Sequence, residues 1–342
     1  MSSRNINNRI KVTIGFPVYN VEKYVEKSLL SVLSQKFSYD YEIIIVDDCG
    51  SDGSMDIVNS IVEYSKQGGG NIRIIKQLSN KGVAEARNTI IWEAKGDYIF
   101  FLDSDDWMAD NCLATLYDIA IRNDTDVVVG SFTSVLADGD VIGQFIGRDT
   151  EESCDGAGVE MVNKGIDWQV APWNKLYKTE FLRKNKIYFH HKLFEDVFFD
   201  FQIRVYANRI CCTSENTLFY VARDNSLTSI SQKKPSDEAI INYANIVNDI
   251  GRLTQANAKI SGIFDYYMKS LRFIFIGVNS KKYSKQQKAK FNAMIKGYVR
   301  IIPSLSVLKS NTHKVLYVMS KIHLDHITFL KTYDLIEKWR RL

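Results

Sequence analysis

The 342-residue chain contains no apolar run approaching the roughly 18 residues that a membrane-spanning helix needs; stretches such as Tyr98–Leu102 and Phe273–Ile276 are short. Its N-terminus, MSSRNINNRIK, lacks the apolar core of a secretion signal, so the expectation is a cytoplasmic chain. Cysteine is scarce and odd in number: five, at 49, 112, 154, 211 and 212, with no CxxC pair. That pattern argues against a disulfide framework and for reduced thiols. Adjacent Cys211 and Cys212 read as packing residues at the end of a strand. His190–His191 and the helically spaced His323 and His326 have no cysteine or acidic partner at zinc-ligand spacing in sequence, which speaks against zinc. Neither G-x-G-x-x-G nor G-x-x-x-x-G-K-[ST] occurs, so dinucleotide and P-loop sites lack their glycine frames. There is no internal repeat and no low-complexity tract.

What is present is an ordinary globular composition, 45% hydrophobic and 25% charged. The length suits two domains, or one large domain with an appendage. A net charge of +4 hides an asymmetry: residues 1–230 hold 24 Lys and Arg against 33 Asp and Glu, and residues 231–342 hold 20 against 7. An acidic part can hold a cation, and a basic part can meet an anionic surface.

The first 130 residues alternate strand and helix signals. Val12, Ile14 and Phe16 alternate as in a strand; Val21, Tyr24, Val25, Leu29, Val32 and Leu33 then mark one helical face. Glu42–Val46 is a nearly continuous apolar run, as in a strand buried on both sides. A helix over Ser54–Val62, a strand over Ile72–Ile75, a helix near Val83–Ala94, a strand over Asp97–Leu102, a helix around Leu113–Ala120 and a strand at Val127–Val129 follow. The alternation predicts an α/β, doubly wound, mostly parallel sheet with helices on both faces. Leu136–Gly158 reads as loops with at most one strand, Val170–Tyr177 as a turn, and Phe194–Ala207 as a helix. From about 235 the pattern is helical, over 240–253, 260–278, 285–302 and 313–340. The predicted division is a domain over 1–230 and a basic helical C-terminal region over 231–342.

Ligands of such sheets bind at the carboxyl ends of strands. Polar residues follow three strands there, in Pro17–Asn20, Asp47–Ser54 and Asp103–Asp106. Asp103, Ser104, Asp105 and Asp106 follow the most apolar strand, and Asp103 and Asp105, two apart in extended chain, can face one site. Carboxylates so crowded repel unless a hard cation such as Mg²⁺ or Mn²⁺ joins them; the alternative is a solvated acidic turn. Asp47 and Asp48 end another strand, where a carboxylate can accept from a pyrimidine ring N–H or from ribose hydroxyls. Asp52 and Ser54 read as helix caps. Gly82, after Asn80 and Lys81, suits a tight turn whose amides can meet an anion. Lys81 and Arg87 can meet phosphate or be ordinary surface charge. Glu195 and Asp196 open a helix, where they offset its dipole or serve a hydroxyl as base.

The segments PVYNVEKYVEKSLLSVLSQ (17–35), VDDCGSDGS (46–54), NKGVAEARN (80–88), GDYIFFLDSDDW (96–107), WNKLYK (173–178) and FEDVFF (194–199) together resemble a family-2 glycosyltransferase of the GT-A, nucleotide-sugar-binding fold. The family usually has Ser at Gly50 and Gly at Ile90, and residues 231–342 carry no usable match. The resemblance implies that Pro17 and Tyr19 line the base pocket, with Asp48 on a uracil-like ring and Asp47 beside it. Asp103, with Ser104 next to it, would hold ribose. Asn80, Lys81, Gly82 and Arg87 would complete the nucleotide site, and Asp105 would bind Mg²⁺ or Mn²⁺ bridging two phosphates. Asp196 would be the general base. Trp173 and Asn174 would shape the sugar or acceptor pocket, unless Trp173 is core.

The expected activity is metal-dependent, inverting transfer from a nucleotide-sugar, preferably a UDP-sugar, to a saccharide or lipid-linked acceptor hydroxyl. A nucleotidyltransferase is the alternative, although GFPVYN lacks the Gly- and basic-rich loop usual there; a DxD phosphatase would place its pair after the first strand. A non-catalytic sugar-nucleotide-binding protein is the other class. Lys281, Lys282, Lys285, Lys288, Lys290, Trp339, Arg340 and Arg341 offer a peripheral contact with the inner membrane face, or a solvated helical face. No nucleic-acid motif accompanies them.

Overall fold

The computed structural model describes residues 9–66, 71–223, 236–279 and 283–295. They form two compact units. The first takes the described residues of 1–153 with 168–192 and 207–223; the second takes 154–167, 193–206 and the described residues beyond 223.

The first unit is built on one sheet. Its strands are β1 (Val12–Val18), β2 (Tyr41–Asp47), β3 (Ile72–Lys76), β4 (Tyr98–Phe101), β5 (Trp107–Met108), β6 (Val127–Val135), β7 (Val141–Phe145), β8 (Thr150–Ser153), β9 (Lys175–Lys178) and β10 (Arg209–Val221). The order is β3-β2-β1-β4-β9-β6-β10-β5, with β7 on β6 and β8 on β10. β3, β2, β1 and β4 are mutually parallel. In the other half β10 runs parallel to β6, while β9, β7, β8 and β5 pair antiparallel. The parallel half is where strand and helix signals alternated.

Every residue of β1 and β4 is buried, whereas β3, at the edge, is only partly covered. Helices α1 (Val25–Leu33), α2 (Ser54–Lys66) and α4 (Cys112–Asn123) contribute Val25, Leu29, Val32, Val58, Val62, Leu113 and Leu116 to a core with Val12, Ile14 and Phe16. Each such side chain contributes about 1.5–3 kcal/mol by burial. Glu42 is fully buried in β2, its carboxylate accepting from Thr13 Oγ1 (2.8 Å), Lys95 N (2.6 Å) and Arg73. Strand β9 falls where a turn was expected. Its sequence, KLYK, has no apolar alternation because the buried Lys175 ammonium is satisfied by the carbonyls of Gln169 (2.7 Å) and Ala171 (2.5 Å). Residues 136–158 hold two strands, β7 and β8. Cys211 and Cys212 lie near the start of β10.

The second unit is helical: α5 (Ala157–Asn163), α7 (Glu195–Tyr206), α8 (Asp237–Ala256), α9 (Ile263–Asn279) and α10 (Lys285–Ile295), α6 (Thr179–Lys184) belonging to the first. Ser236 caps α8 by accepting from Ala239 N at 3.1 Å. Val159, Phe201, Ile240, Ile246, Ile263, Tyr267 and Phe291 share one core, which is why α5 and α7 join the C-terminal helices although they precede residue 230. Within it Arg204 is buried against Asp200 (2.5 Å) and Asp167 (2.6 Å). Burial pushes the Asp167 carboxyl up, but Arg204 and Lys269 outweigh it and hold it below the usual range. The predicted helix over 313–340 lies outside the described residues, as do Lys281, Lys282, Trp339, Arg340 and Arg341. No described helix is long and apolar enough to cross a membrane.

On the face of the sheet opposite α1, α3 (Val83–Glu93) sets Ile90 against Gly15: a Cβ built on Gly15 would lie 2.5 Å from an Ile90 methyl. The bulky residue at 90 is thus accommodated by the missing side chain at 15. Gly15→Ala is expected to cost about 1–3 kcal/mol by overpacking, and much less in an Ile90→Ala background. A double-mutant cycle by urea denaturation reads the difference; equal cost in both backgrounds would show that this contact is not the reason.

Candidate active site

Strand order reverses around β1, which has β2 on one side and β4 on the other, so the crevice rule places a ligand beyond the carboxyl ends of β1, β2 and β4. The register fixes what meets there. Val18 stands beside Asp47, and Gly15 beside Phe101, so the chain leaves these strands at Tyr19, Asp48 and Leu102.

Pro17 is buried in β1 and Tyr19 is exposed. Asn20 is held at φ 50° and accepts from Ser51 N at 2.8 Å, while Asp52 accepts from Glu22 N at 2.9 Å. Ser54 Oγ accepts from Val21 N at 2.8 Å, so the loops after β1 and β2 are tied together. Asp47 is buried and accepts from Cys49 N at 2.9 Å, closing a turn in which Cys49 has φ 60°. Asp48 is buried too. Its two carboxylate oxygens accept from Lys81 N (2.7 Å) and Gly82 N (3.0 Å). The anion that the Gly82 amide meets is therefore Asp48 itself, a carboxylate at the start of α3. The side chains of Asn80 and Lys81 are exposed beside it.

After β4, Asp106 N donates to Asp103 O (2.9 Å), and this turn folds the third acid back onto the other two. One carboxylate oxygen from each of Asp103, Asp105 and Asp106 lies within 4.8 Å of the others; Ser104 between them is buried. Each acid has a different partner. Arg87, buried against the Phe189 ring (5.4 Å), places its guanidinium 2.5 Å from Asp103. Arg223, just beyond β10, lies 2.5 Å from Asp105. Asp106 accepts from Val221 N at 2.8 Å through one oxygen; the other is buried without a hydrogen-bond partner. Burial, then the charge of Asp103, raises the Asp105 carboxyl against the opposing pull of Arg223. Asp106 is raised well above the usual range by burial and by both neighbouring acids. Tyr220 is raised by burial and by the same three carboxylates.

This donor set fits a hard divalent cation: clustered carboxylate oxygens, one of them buried and lacking a donor. Asp106 and Arg223 were not singled out from the sequence as site residues. Asp106 was visible only as the third acid of a run; Arg223 had no local signal. Trp173 and Asn174 are core. Trp173 stacks on Tyr220 (5.2 Å) and meets Phe132 edge-on (4.8 Å), and Asn174 Nδ2 donates to Gly130 O at 2.6 Å.

Asp196 belongs to the second unit, half-buried in the first turn of α7. Phe194 precedes that turn at φ 57°, a costly backbone for an aromatic residue, held by stacking on Tyr243 at 4.2 Å. Lys290, from the basic region, is paired with Asp237 at 3.0 Å.

Residues 13–200 match the family described as Glycosyl transferase family 2, more than half of the chain. The chain belongs to that family. It is 32% identical over 232 residues to poly(ribitol-phosphate) beta-glucosyltransferase of Bacillus spizizenii, and 28% identical over 233 residues to poly(ribitol-phosphate) beta-N-acetylglucosaminyltransferase TarS of Staphylococcus aureus. Each match takes in 67% of this chain but only 35% and 38% of those relatives, so the chain spans little more than a third of their length. The crystal structure of S. aureus TarS 1–349 in complex with UDP-GlcNAc superposes with a TM-score of 0.71 at 22% identity, over 97% of this chain and 92% of that one. The fold is thus the nucleotide-sugar-transferase α/β fold that the sequence motifs implied.

A fold that raises a carboxyl's pKa loses stability as pH climbs through that pKa. Asp106→Asn keeps an acceptor for Val221 N and removes the ionisation. The variant is expected to be more stable than wild type at pH 7 by about 0.5–2 kcal/mol, while losing stabilisation by Mn²⁺. Thermal melts with and without metal read both; lower stability without metal would contradict the assignment.

Proposed function

We propose that the protein is a metal-dependent, inverting glycosyltransferase that moves a sugar from a UDP-sugar to a hydroxyl of a saccharide, polyol-phosphate or lipid-linked acceptor in polysaccharide assembly. The observation that carries the proposal is the triad Asp103–Asp105–Asp106 at the switch point of the sheet, with a buried carboxylate oxygen awaiting a partner. The names of the relatives favour a UDP-sugar donor and a polyol-phosphate acceptor. A contact between residues 231–342 and an anionic membrane face extends the reading and is supported by the charge excess alone.

Asp105 and Asp106 would hold Mg²⁺ or Mn²⁺, with Asp103 completing the anionic face toward ribose. When bound, the cation supplies a Lewis acid that neutralises the departing nucleoside diphosphate. Pro17 and Tyr19 offer a wall for the base. Asp47 and Asp48 shape the base end by holding the turns at Cys49 and Gly82 in place. Arg87 keeps Asp103 oriented through a short ion pair in a buried setting. Asp196 accepts the proton of the acceptor hydroxyl as its oxygen attacks the anomeric carbon opposite the leaving group, and that single displacement inverts the configuration.

UDP-, GDP- and dTDP-sugars are to be compared for Mn²⁺-dependent thermal stabilisation and slow hydrolysis. A UDP-sugar is expected to stabilise only with metal, by about 2.7 kcal/mol at a hundredfold excess over Kd. Asp105→Ala is expected to lose that response. Asp196→Ala is expected to retain it while turnover falls roughly 10²–10⁴-fold. Failure of every donor to bind, or wild-type turnover in Asp196→Ala, would overturn the proposal.

A further inference from the structure

The two arginines on the acidic triad are held differently. Arg87 is 3% exposed and wedged between Asp103 and the Phe189 ring, a fixed part of the wall. Arg223 is 22% exposed, and its guanidinium lies over the ring of Tyr24 at 5.3 Å. Its Nε lies 2.5 Å from Asp105 Oδ2. The Asp105 ion pair thus sits at a partly exposed edge with an aromatic face behind its cation, where solvent can take over the guanidinium, whereas the Arg87 pair is enclosed.

A cation on Asp105 must compete with that guanidinium, since two positive groups on one carboxylate repel each other. Counted as formal charges, three carboxylates and two guanidiniums leave a single negative charge. A divalent cation alone reverses its sign, and the negative charge of the donor's diphosphate returns the site to net negative, so the released guanidinium still has an anionic partner.

We propose that Arg223 is a displaceable counter-ion: it covers Asp105 when no metal is bound, yields that carboxylate to the metal, and passes to the donor's diphosphate. Metal and nucleotide then bind cooperatively, because the diphosphate gives the released guanidinium a new partner. This inference rests on the reading of the site as a metal-dependent nucleotide-sugar site, and adds how the two ligands are coupled. Coupling of this kind is reciprocal between the two ligands.

The test is calorimetric titration of Mn²⁺ and of UDP into the full chain. Arg223→Gln is expected to bind Mn²⁺ alone at least about fivefold more tightly than wild type, and UDP at saturating Mn²⁺ at least about fivefold more weakly. The opposite signs separate a counter-ion from a residue that merely supports the loop, whose loss would weaken both. Arg223→Met, which keeps aliphatic packing, repeats the comparison if circular dichroism shows the Gln variant to be unfolded. Wild-type or weaker Mn²⁺ affinity in the folded variants overturns the counter-ion role while leaving the metal site standing. Absence of Mn²⁺ binding in wild type and variants alike, with and without UDP, overturns the metal-dependent reading and this inference together.

Discussion

Three carboxylates held within 4.8 Å at the end of a buried strand are the constraint around which the first unit is arranged. Left alone, they would repel one another and carry the cost of burial. The fold answers each differently: a buried arginine for Asp103, a partly exposed arginine for Asp105, and one backbone N–H for Asp106. The last answer is incomplete, and the raised Asp106 carboxyl is its consequence. Sites that bind cations commonly retain such local instability, because a fully neutralised cluster would have nothing left to offer a metal.

The two halves of the sheet divide the work. The parallel half delivers the acids, since β1, β2 and β4 end side by side and their following turns share one rim. The mixed half delivers what opposes Asp105 and Asp106, while Arg87, opposing Asp103, comes from α3 of the parallel half. β10 follows β6 in parallel, with register shifts between Cys212 and Leu218, and ends by placing the Val221 amide and then Arg223 against the triad. β5, immediately after the acids, pairs with Leu218 and Phe219 of the same strand, which fastens the acidic turn to the segment that neutralises it. The Trp173–Tyr220 stack and the Phe132 contact keep that corner packed.

The parallel half was legible because strands covered on both faces must be apolar throughout, and Val12–Val18, Ile43–Val46 and Tyr98–Phe101 are nearly so. Polar residues directly after such runs identified the rim. Other features were hidden for physical reasons. Lys175 disguised β9, because a buried ammonium satisfied by carbonyls looks like a surface residue in sequence. The departure at Ile90 is explained by Gly15, which stands in β1 with four elements between them in the chain. Asp48 and the amides of Lys81 and Gly82 are separately recognisable, but their pairing is a tertiary fact. Val221 stands 115 positions from Asp106, and no local pattern marks that contact or the arginine that follows. The grouping of α5 and α7 with the C-terminal helices was likewise invisible, since each looks like an ordinary amphipathic segment until Phe201 and Val159 are seen beside Ile240 and Ile263.

The most direct measurement is anomalous diffraction from a crystal of the chain grown with Mn²⁺ and UDP. The account calls for a manganese peak bonded to oxygens of Asp105 and Asp106 and to the diphosphate. Manganese found elsewhere, or UDP bound with no metal at these acids, would contradict it.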